Sequence, residues 1–114
     1  MPYLSVHTNV EIDDSGQTAL LTKASETVAS MLGKPESYVM VHLHAGQAMA
    51  FAGSREPLAY LQLKSLGLPE EKTPAFSETL CGLMQSELGI DPGRVYIEFA
   101  GPERHMWGWD NRTF

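Results

Sequence analysis

Residues 20–43 read LLTKASETVASMLGKPESYVMVHL, a helix pattern that stops and is followed by a strand pattern. Apolar side chains recur at helical spacing and form one stripe: Leu20, Leu21, Ala24, Val28, Met31 and Leu32. Gly33 and Pro35 then stop the helix, because glycine accepts the left-handed conformation of a C-cap and proline cannot continue a helix. The run at 38–43 is rich in strand-forming residues and predicts the next strand.

The segments on either side of this stretch extend the pattern. Residues 2–7 alternate apolar and polar side chains, which predicts a strand before the helix. Asp14, with Gln17 three residues later, predicts a capping box at the start of the helix. Residues 48–51 predict a short further strand, so the first part of the chain, residues 2–51, is interpreted as a β-α-β unit.

The second part, residues 52–114, repeats this order. Residues 58–66 predict a strand, residues 69–88 a helix that is firmest from Pro74 onward, and residues 94–99 another strand. We therefore predict a single domain over residues 1–114 in the α/β (α+β) class, with a mixed four-stranded sheet and two helices on one face. The other face of the sheet is expected to be apolar and uncovered, which favours self-association.

The composition and net charge of the chain argue against some classes of binding partner. A chain of 114 residues with 43% hydrophobic and 19% charged residues is typical of one globular domain. The formal net charge of −6 argues against nucleic acid and anionic membrane surfaces as partners. No signal peptide or membrane-spanning run is recognisable, so we expect a cytoplasmic protein. Cys81, the single cysteine, excludes an internal disulfide and is expected to be a core thiol.

Pro2 is the residue with the clearest potential for catalysis. A small second residue usually signals removal of the initiator methionine, which would leave proline as the N-terminus of the mature chain. Its free secondary amine is compact and held by its own ring, and it could act as a general base or an imine-forming nucleophile. If Met1 is retained, the Pro2 nitrogen is an amide and has neither role.

His42 and His44 are the candidate metal ligands, because they lie two residues apart on one strand and so share a face. No carboxylate or thiol nearby completes a site, and a third ligand would have to be His7 or His105 from elsewhere in the chain. We therefore predict no metal site and no cofactor.

Short motifs that run in order along the chain together resemble one known family. They are Pro2 after the methionine, Gly33-Lys34-Pro35 with Tyr38, Met49-Ala50-Phe51-Ala52-Gly53-Ser54 before Glu56-Pro57, Leu80-Cys81-Gly82-Leu83, Arg94-Val95-Tyr96-Ile97, and Gly108-Trp109-Asp110-Asn111 with Thr113-Phe114. The set resembles the macrophage migration inhibitory factor family of the tautomerase superfamily. That resemblance implies two β-α-β repeats packed into a homotrimer whose sheets enclose a central channel.

The resemblance also implies an activity and a site between subunits. The family's N-terminal proline moves protons in keto–enol tautomerism of aromatic 2-keto acids, such as phenylpyruvate, and of dopachrome-like compounds. Pro2 would then be the catalytic base of a cofactor-free isomerase, and Lys34 would meet the substrate carboxylate. The other implied substrate-binding residues are Ser65 and Leu66 through a backbone N–H, and the aromatic residues Tyr38, Tyr96, Trp109 and Phe114.

Several positions depart from the family's best-known member. Glu98 replaces an asparagine in the implied site and Trp107 replaces a valine, so both are candidate specificity residues. A Cys-x-x-Cys pair is absent at 58–61, which argues against thiol–disulfide catalysis. Ile12 and Gly46 replace the matching Arg and Asp used for receptor engagement, which makes receptor binding doubtful. The alternative function is that of a cytokine-like signalling or ligand-binding protein with a vestigial tautomerase pocket.

Overall fold

The structure, a computed structural model, describes residues 1–114. Its elements in chain order are β1 (Tyr3–Thr8), α1 (Asp14–Leu32), β2 (Met40–His44), β3 (Ala59–Lys64), α2 (Thr73–Leu88), β4 (Val95–Ala100), β5 (Gly108–Trp109) and β6 (Arg112–Thr113). The two predicted β-α-β units are β1-α1-β2 and β3-α2-β4, and a small β5–β6 hairpin follows them. No helix combines the length and the apolar character that crossing a membrane requires.

The main sheet is mixed, as predicted, with strand order β2-β1-β3-β4. Each β-α-β unit places its two strands side by side and parallel, and the units join through the antiparallel β1–β3 pair, in which Leu4 opposes Leu63. The start of β1 therefore lies in the middle of the sheet, between β2 and β3. This position surrounds Pro2 with structure on both sides.

Both helices pack on one face of the sheet and contact each other. The core that they form with the sheet consists of Leu4, Val6, Leu20, Ala24, Val28, Ala59, Leu61, Leu63, Leu80, Leu83, Met84 and Ile90. Burying a side chain such as leucine contributes about 1.5–3 kcal/mol. The alternating burial along β3 follows directly from the two-residue period of a strand, since Ala59, Leu61 and Leu63 face the helices.

The capping prediction was wrong by one residue. Asp13, not Asp14, is the N-cap of α1, and its carboxylate accepts a hydrogen bond from the Gly16 N–H at 2.8 Å. Asp13 has the extended backbone that an N-cap requires, whereas Asp14 is already the first helical residue. The Gln17 side chain donates to the Ile12 carbonyl oxygen at 2.9 Å instead of closing a capping box.

Other local predictions also differ from the structure. Leu21 is 36% exposed, because the helical step turns it away from the buried stripe. Residues 48–51 form no strand, since Phe51 makes only an isolated bridge to Ser54 across a tight turn. The helix predicted from residue 69 begins with a 3₁₀ turn at Glu70–Lys72, and α2 starts at Thr73. Cys81 is only partly buried.

The sheet face opposite the helices, which we call the open face, was predicted to be apolar, but it is only partly so. Met40 and Tyr96 are 65% and 64% exposed on it. The strand register places further side chains beside them on the same face: Tyr3, Ser5, His7, His42, His44, Tyr60, Gln62, Lys64 and Glu98. The open face therefore mixes aromatic and apolar groups with a cluster of histidines and two charged side chains.

Candidate active site

A cleft of about 460 Å³ opens at the N-terminal end of β1. Its lining residues are Met1, Pro2, Tyr3, Ser37, Tyr38, Val39, Met40, Trp107, Gly108 and Trp109. Pro2 is less than 2% exposed, and its carbonyl oxygen accepts a hydrogen bond from the Met40 N–H at 3.0 Å. That bond holds Pro2 in the sheet, so the cleft has a fixed backbone at its base.

The aromatic wall of the cleft comes from the chain's C-terminal segment. Asp110 and Asn111 have positive φ angles of 52° and 63°, which form the tight turn of the β5–β6 hairpin. The hairpin places Phe114 in a stack with Trp109, with ring centroids 5.8 Å apart. Tyr38 meets the same indole edge-on at 5.9 Å. Of the sequence-predicted residues, the structure thus brings Pro2, Tyr38, Trp107 and Trp109 together in the cleft, with Phe114 behind Trp109.

The N-terminal amine lies in an environment that favours its neutral form. In this structure the amine belongs to Met1, and its pKa is lowered first by burial and second by the positive charge of Lys34. Lys34 follows Gly33, which caps α1 in the left-handed conformation with φ 63°. The Gly-Lys-Pro segment that ends the helix therefore also places a cation within electrostatic reach of the N-terminus.

Ser65 and Leu66 continue β3 beside Pro2, because Tyr3 opposes Lys64 in the antiparallel pair. The Ser65 N–H donates to the Ala100 carbonyl oxygen at 3.1 Å, so that donor is already used. The Leu66 N–H makes no hydrogen bond within the chain. The segment was expected to offer one backbone N–H to a substrate carboxylate, and the Leu66 N–H is the one that is free.

Tyr96 and Glu98 lie apart from the Pro2 cleft of their own chain. Tyr96 packs against Phe51, with ring centroids 4.7 Å apart, in a separate all-hydrophobic cavity of about 400 Å³. Glu98 lies on the open face, where its carboxylate accepts a hydrogen bond from the Gln62 side chain at 3.0 Å. One protomer alone therefore does not assemble every predicted site residue.

Tyr3, Ser37, Val39 and Met40 also line the cleft, and the sequence reasoning missed them as site residues. Parallel pairing of β1 with β2 places Tyr3 opposite Met40, so two residues that read as ordinary strand positions meet beside Pro2. The predicted pairing of these strands could have indicated them, since neighbours of Pro2 in the sheet must border any site built on it.

Arg94 is another residue whose role becomes visible only in the structure. Its guanidinium donates to four backbone carbonyl oxygens, those of Phe51, Ser54, Glu56 and Pro57, at 3.0–3.3 Å. Its Cζ also lies 5.3 Å from the centre of the Phe51 ring. Arg94 therefore fixes the 51–57 loop and holds Phe51 against Tyr96.

Replacing Arg94 by alanine should lower the free energy of unfolding by about 1–2 kcal/mol, because several charge-assisted hydrogen bonds are lost at a partly exposed site. Chemical denaturation would measure this. Arg55→Ala is the matched control, since Arg55 lies in the same loop and is exposed. Equal stability of the two variants would contradict the role of Arg94 in fixing the loop.

His42 and His44, the candidate metal ligands, lie on β2 and share the open face of the sheet. His7 does lie beside His42 and His44, but no group of three or more His, Cys, Asp or Glu side chains is arranged to hold a metal ion. The His7 and His44 rings instead stack in parallel, with centroids 4.3 Å apart.

Comparison with known proteins identifies the family. The family model for macrophage migration inhibitory factor (MIF) matches residues 1–114. A MIF homolog from Brugia malayi is 44% identical over 115 residues, covering 100% of this chain and 99% of the relative. The crystal structure of a MIF homologue from Prochlorococcus marinus superposes with a TM-score of 0.92 at 37% identity, covering 98% of both chains. The MIF structure from Trichinella spiralis gives 0.90 at 32% identity, covering 98% of this chain and 99% of that one. The chain belongs to the macrophage migration inhibitory factor family, which includes tautomerase-type isomerases.

Proposed function

We propose that the protein is a cofactor-free keto–enol tautomerase of aromatic 2-keto acids, such as phenylpyruvate, and of dopachrome-like compounds. The observation that carries this proposal is the buried Pro2 in an aromatic-walled cleft, at a terminus where burial and Lys34 lower the pKa of the amine. Once Met1 is removed, the Pro2 nitrogen becomes the terminal amine and experiences the same two effects. In the chain with Met1, Pro2 is almost completely buried, so we expect the surrounding cleft to desolvate its amine once Met1 is removed.

A lowered pKa suits the chemistry, since only the neutral amine can accept a proton. An α-amino group ordinarily titrates at about 7.7–8.0, so an unperturbed amine would be largely protonated at neutral pH. In the keto-to-enol direction, the Pro2 amine takes the proton from the carbon beside the ketone. The electron pair of the broken C–H bond forms the C=C bond, and the ketone oxygen gains a proton from water or from the protonated Pro2 amine. Pro2 becomes neutral again when its proton passes to that oxygen or to solvent. No electron leaves the substrate, and no cofactor is needed.

The substrate class follows from the groups around Pro2. Lys34 and the free N–H of Leu66 supply a positive charge and a donor for the carboxylate of a 2-keto acid. Trp107, Trp109 and Tyr38 supply flat apolar surface for the aromatic ring and exclude water from the reacting centre. Trp107 lines this cleft together with Trp109, so we expect a preference for flat aromatic rings over bulky aliphatic chains.

We further propose that a homotrimer completes the site, as the family resemblance implies. Tyr96 is 64% exposed beside Phe51, at an apolar cavity that nothing in the single chain covers. Association of copies would bury this surface and could bring Tyr96 and Glu98 of one copy to the Pro2 cleft of another. A carboxylate there would disfavour a second anionic group on the substrate and would favour a polar or cationic tail.

The direct test compares two mass-verified preparations, one without Met1 and one that retains it, in an assay of phenylpyruvate enol–keto conversion. The processed protein should be active, and the Met1-retained protein should lose the Pro2-dependent rate, because an amide nitrogen is not a base at neutral pH. Circular dichroism of both samples checks that they have the same fold, so that a difference in rate can be assigned to the terminus.

Equal activity of the two preparations would contradict the Pro2 assignment. Inactivity of a correctly processed and assembled protein would contradict the tautomerase proposal as a whole. In that case the ligand-binding or cytokine-like alternative becomes the better interpretation of this pocket.

A further inference from the structure

The histidine cluster on the open face consists of His7, His42 and His44, and the proposed tautomerase chemistry makes no use of it. His7 on β1 directly opposes His44 on β2, and their rings stack with centroids 4.3 Å apart and planes 4° from parallel. The His42 ring centroid lies 3.8 Å from that of His44. Three imidazoles thus form one continuous group in van der Waals contact across two strands.

The hydrogen bonds of the cluster are made with neutral groups. The His7 Nε2 and the hydroxyl of buried Ser5 are 2.8 Å apart, and the His42 Nδ1 lies 3.4 Å from the Tyr3 hydroxyl. No imidazole of the cluster forms an ion pair with a carboxylate, since the chain's one His–carboxylate contact joins His105 and Glu103. A proton on any ring of the cluster would therefore lack a direct counter-charge.

Other titratable groups near the histidine cluster come from each of the elements around it. On the same face, β1 contributes Tyr3, β3 contributes Tyr60 and Lys64, and β4 contributes Tyr96 and Glu98. Glu98 is two strands from His7 and is bonded to Gln62, so it does not neutralise the cluster. Glu11, in the loop between β1 and α1, places its carboxylate against Gly46, two residues beyond His44 in the chain.

The electrostatic consequence has a definite sign. Burial first, and then the charges that His44 and His42 would carry, lower the pKa of His7. A histidine with a lowered pKa in the folded state binds fewer protons there than it does unfolded. Above the ordinary histidine pKa of about 6.5 the ring is neutral and the folded state loses no stability through it. The folded state becomes less stable as the pH falls below that value.

We propose that the histidine cluster makes the assembly of copies around their open faces proton-sensitive, so that copies assemble near neutral pH and separate in mild acid. This inference rests on the homotrimer of the proposed function, because sheets that enclose a central channel and carry their helices on one face turn their open faces toward that channel. Exposed Met40 and Tyr96, at opposite edges of this face, supply apolar contact for a neighbouring copy. Each copy would bring three imidazoles to this channel, so protonation would place like charges of neighbouring copies close together and oppose assembly.

Sedimentation velocity of the processed protein between pH 8 and pH 5, at constant ionic strength and protein concentration, tests the proposal. The wild-type assembly should dissociate as the pH falls below about 6.5. A His7→Gln/His44→Gln variant, which cannot acquire these charges, should stay assembled to a pH about one unit lower. His105→Gln should behave as the wild type does, because His105 is exposed and lies outside the cluster.

Circular dichroism at each pH separates dissociation from unfolding, and the single variant His44→Gln, at a half-exposed position, replaces the double variant if the latter does not fold. A wild-type assembly that persists to pH 5, a variant with the wild-type midpoint, or a chain that is monomeric at pH 8 would each overturn the inference. Assembly that is proton-sensitive in a protein without tautomerase activity at pH 8 would support this inference and contradict only the proposed function.

Discussion

Replacing Pro2 by glycine in the processed protein should lower kcat/KM for phenylpyruvate by about 10²–10⁴-fold, the range typical of removing a well-placed general base. Glycine retains a terminal amine, but the amine is primary and free to rotate. The proline ring fixes the direction of the nitrogen lone pair, and Pro2 is anchored through its carbonyl oxygen to the Met40 N–H. The loss should therefore appear mainly in kcat, because the carboxylate and ring contacts of the substrate remain.

The matched control is Pro92→Ala, since Pro92 is an exposed proline at the start of the 3₁₀ turn Pro92–Arg94. It should leave the rate unchanged. A Pro2→Gly variant with near wild-type kcat/KM, in a sample with verified Met1 removal, would mean that another group moves the proton.

The part of the fold that local patterns determine was predictable from the sequence. Gly33 ends α1 in the left-handed conformation that glycine favours, and the apolar stripes of both helices face the core as their spacing required. The mixed sheet follows from two β-α-β units in one small chain. The failures lie where two patterns fit equally well, as at Asp13 and Asp14, or where a strand-like sequence at 48–51 finds no neighbouring strand within the chain.

The site was only partly predictable because it depends on contacts that are distant in sequence. Pro2, Tyr38 and Trp109 meet in the cleft because the C-terminal hairpin packs against the start of β1 and the segment before β2. Nothing in the local sequence around Arg94 indicates that it binds four carbonyl oxygens some 40 residues away. The third member of the histidine cluster, His7, is likewise placed by strand register rather than by sequence spacing.

Replacing Lys34 by glutamine should have the next largest effect, a decrease in kcat/KM of about 10–100-fold for an anionic 2-keto acid. A hydrogen bond to a charged partner is worth about 1.5–3 kcal/mol, and each 1.4 kcal/mol corresponds to a factor of ten. The change should appear mainly in KM, because the carboxylate is bound in both the ground state and the transition state. Lys23→Gln, at an exposed position on α1, is the matched control and should leave the kinetics unchanged.

A second readout separates substrate binding from the electrostatic effect of Lys34 on the base. Lys34 is one of the two causes that lower the pKa of the terminal amine, so its removal should raise that pKa. Because only the neutral amine is active, kcat/KM rises with pH through this pKa, and the ascending limb of the profile should move to higher pH in Lys34→Gln. Lys34→Arg keeps the charge and should retain the wild-type limb even if substrate binding weakens. A limb that does not move in Lys34→Gln would restrict Lys34 to binding the carboxylate and leave burial as the cause of the lowered pKa.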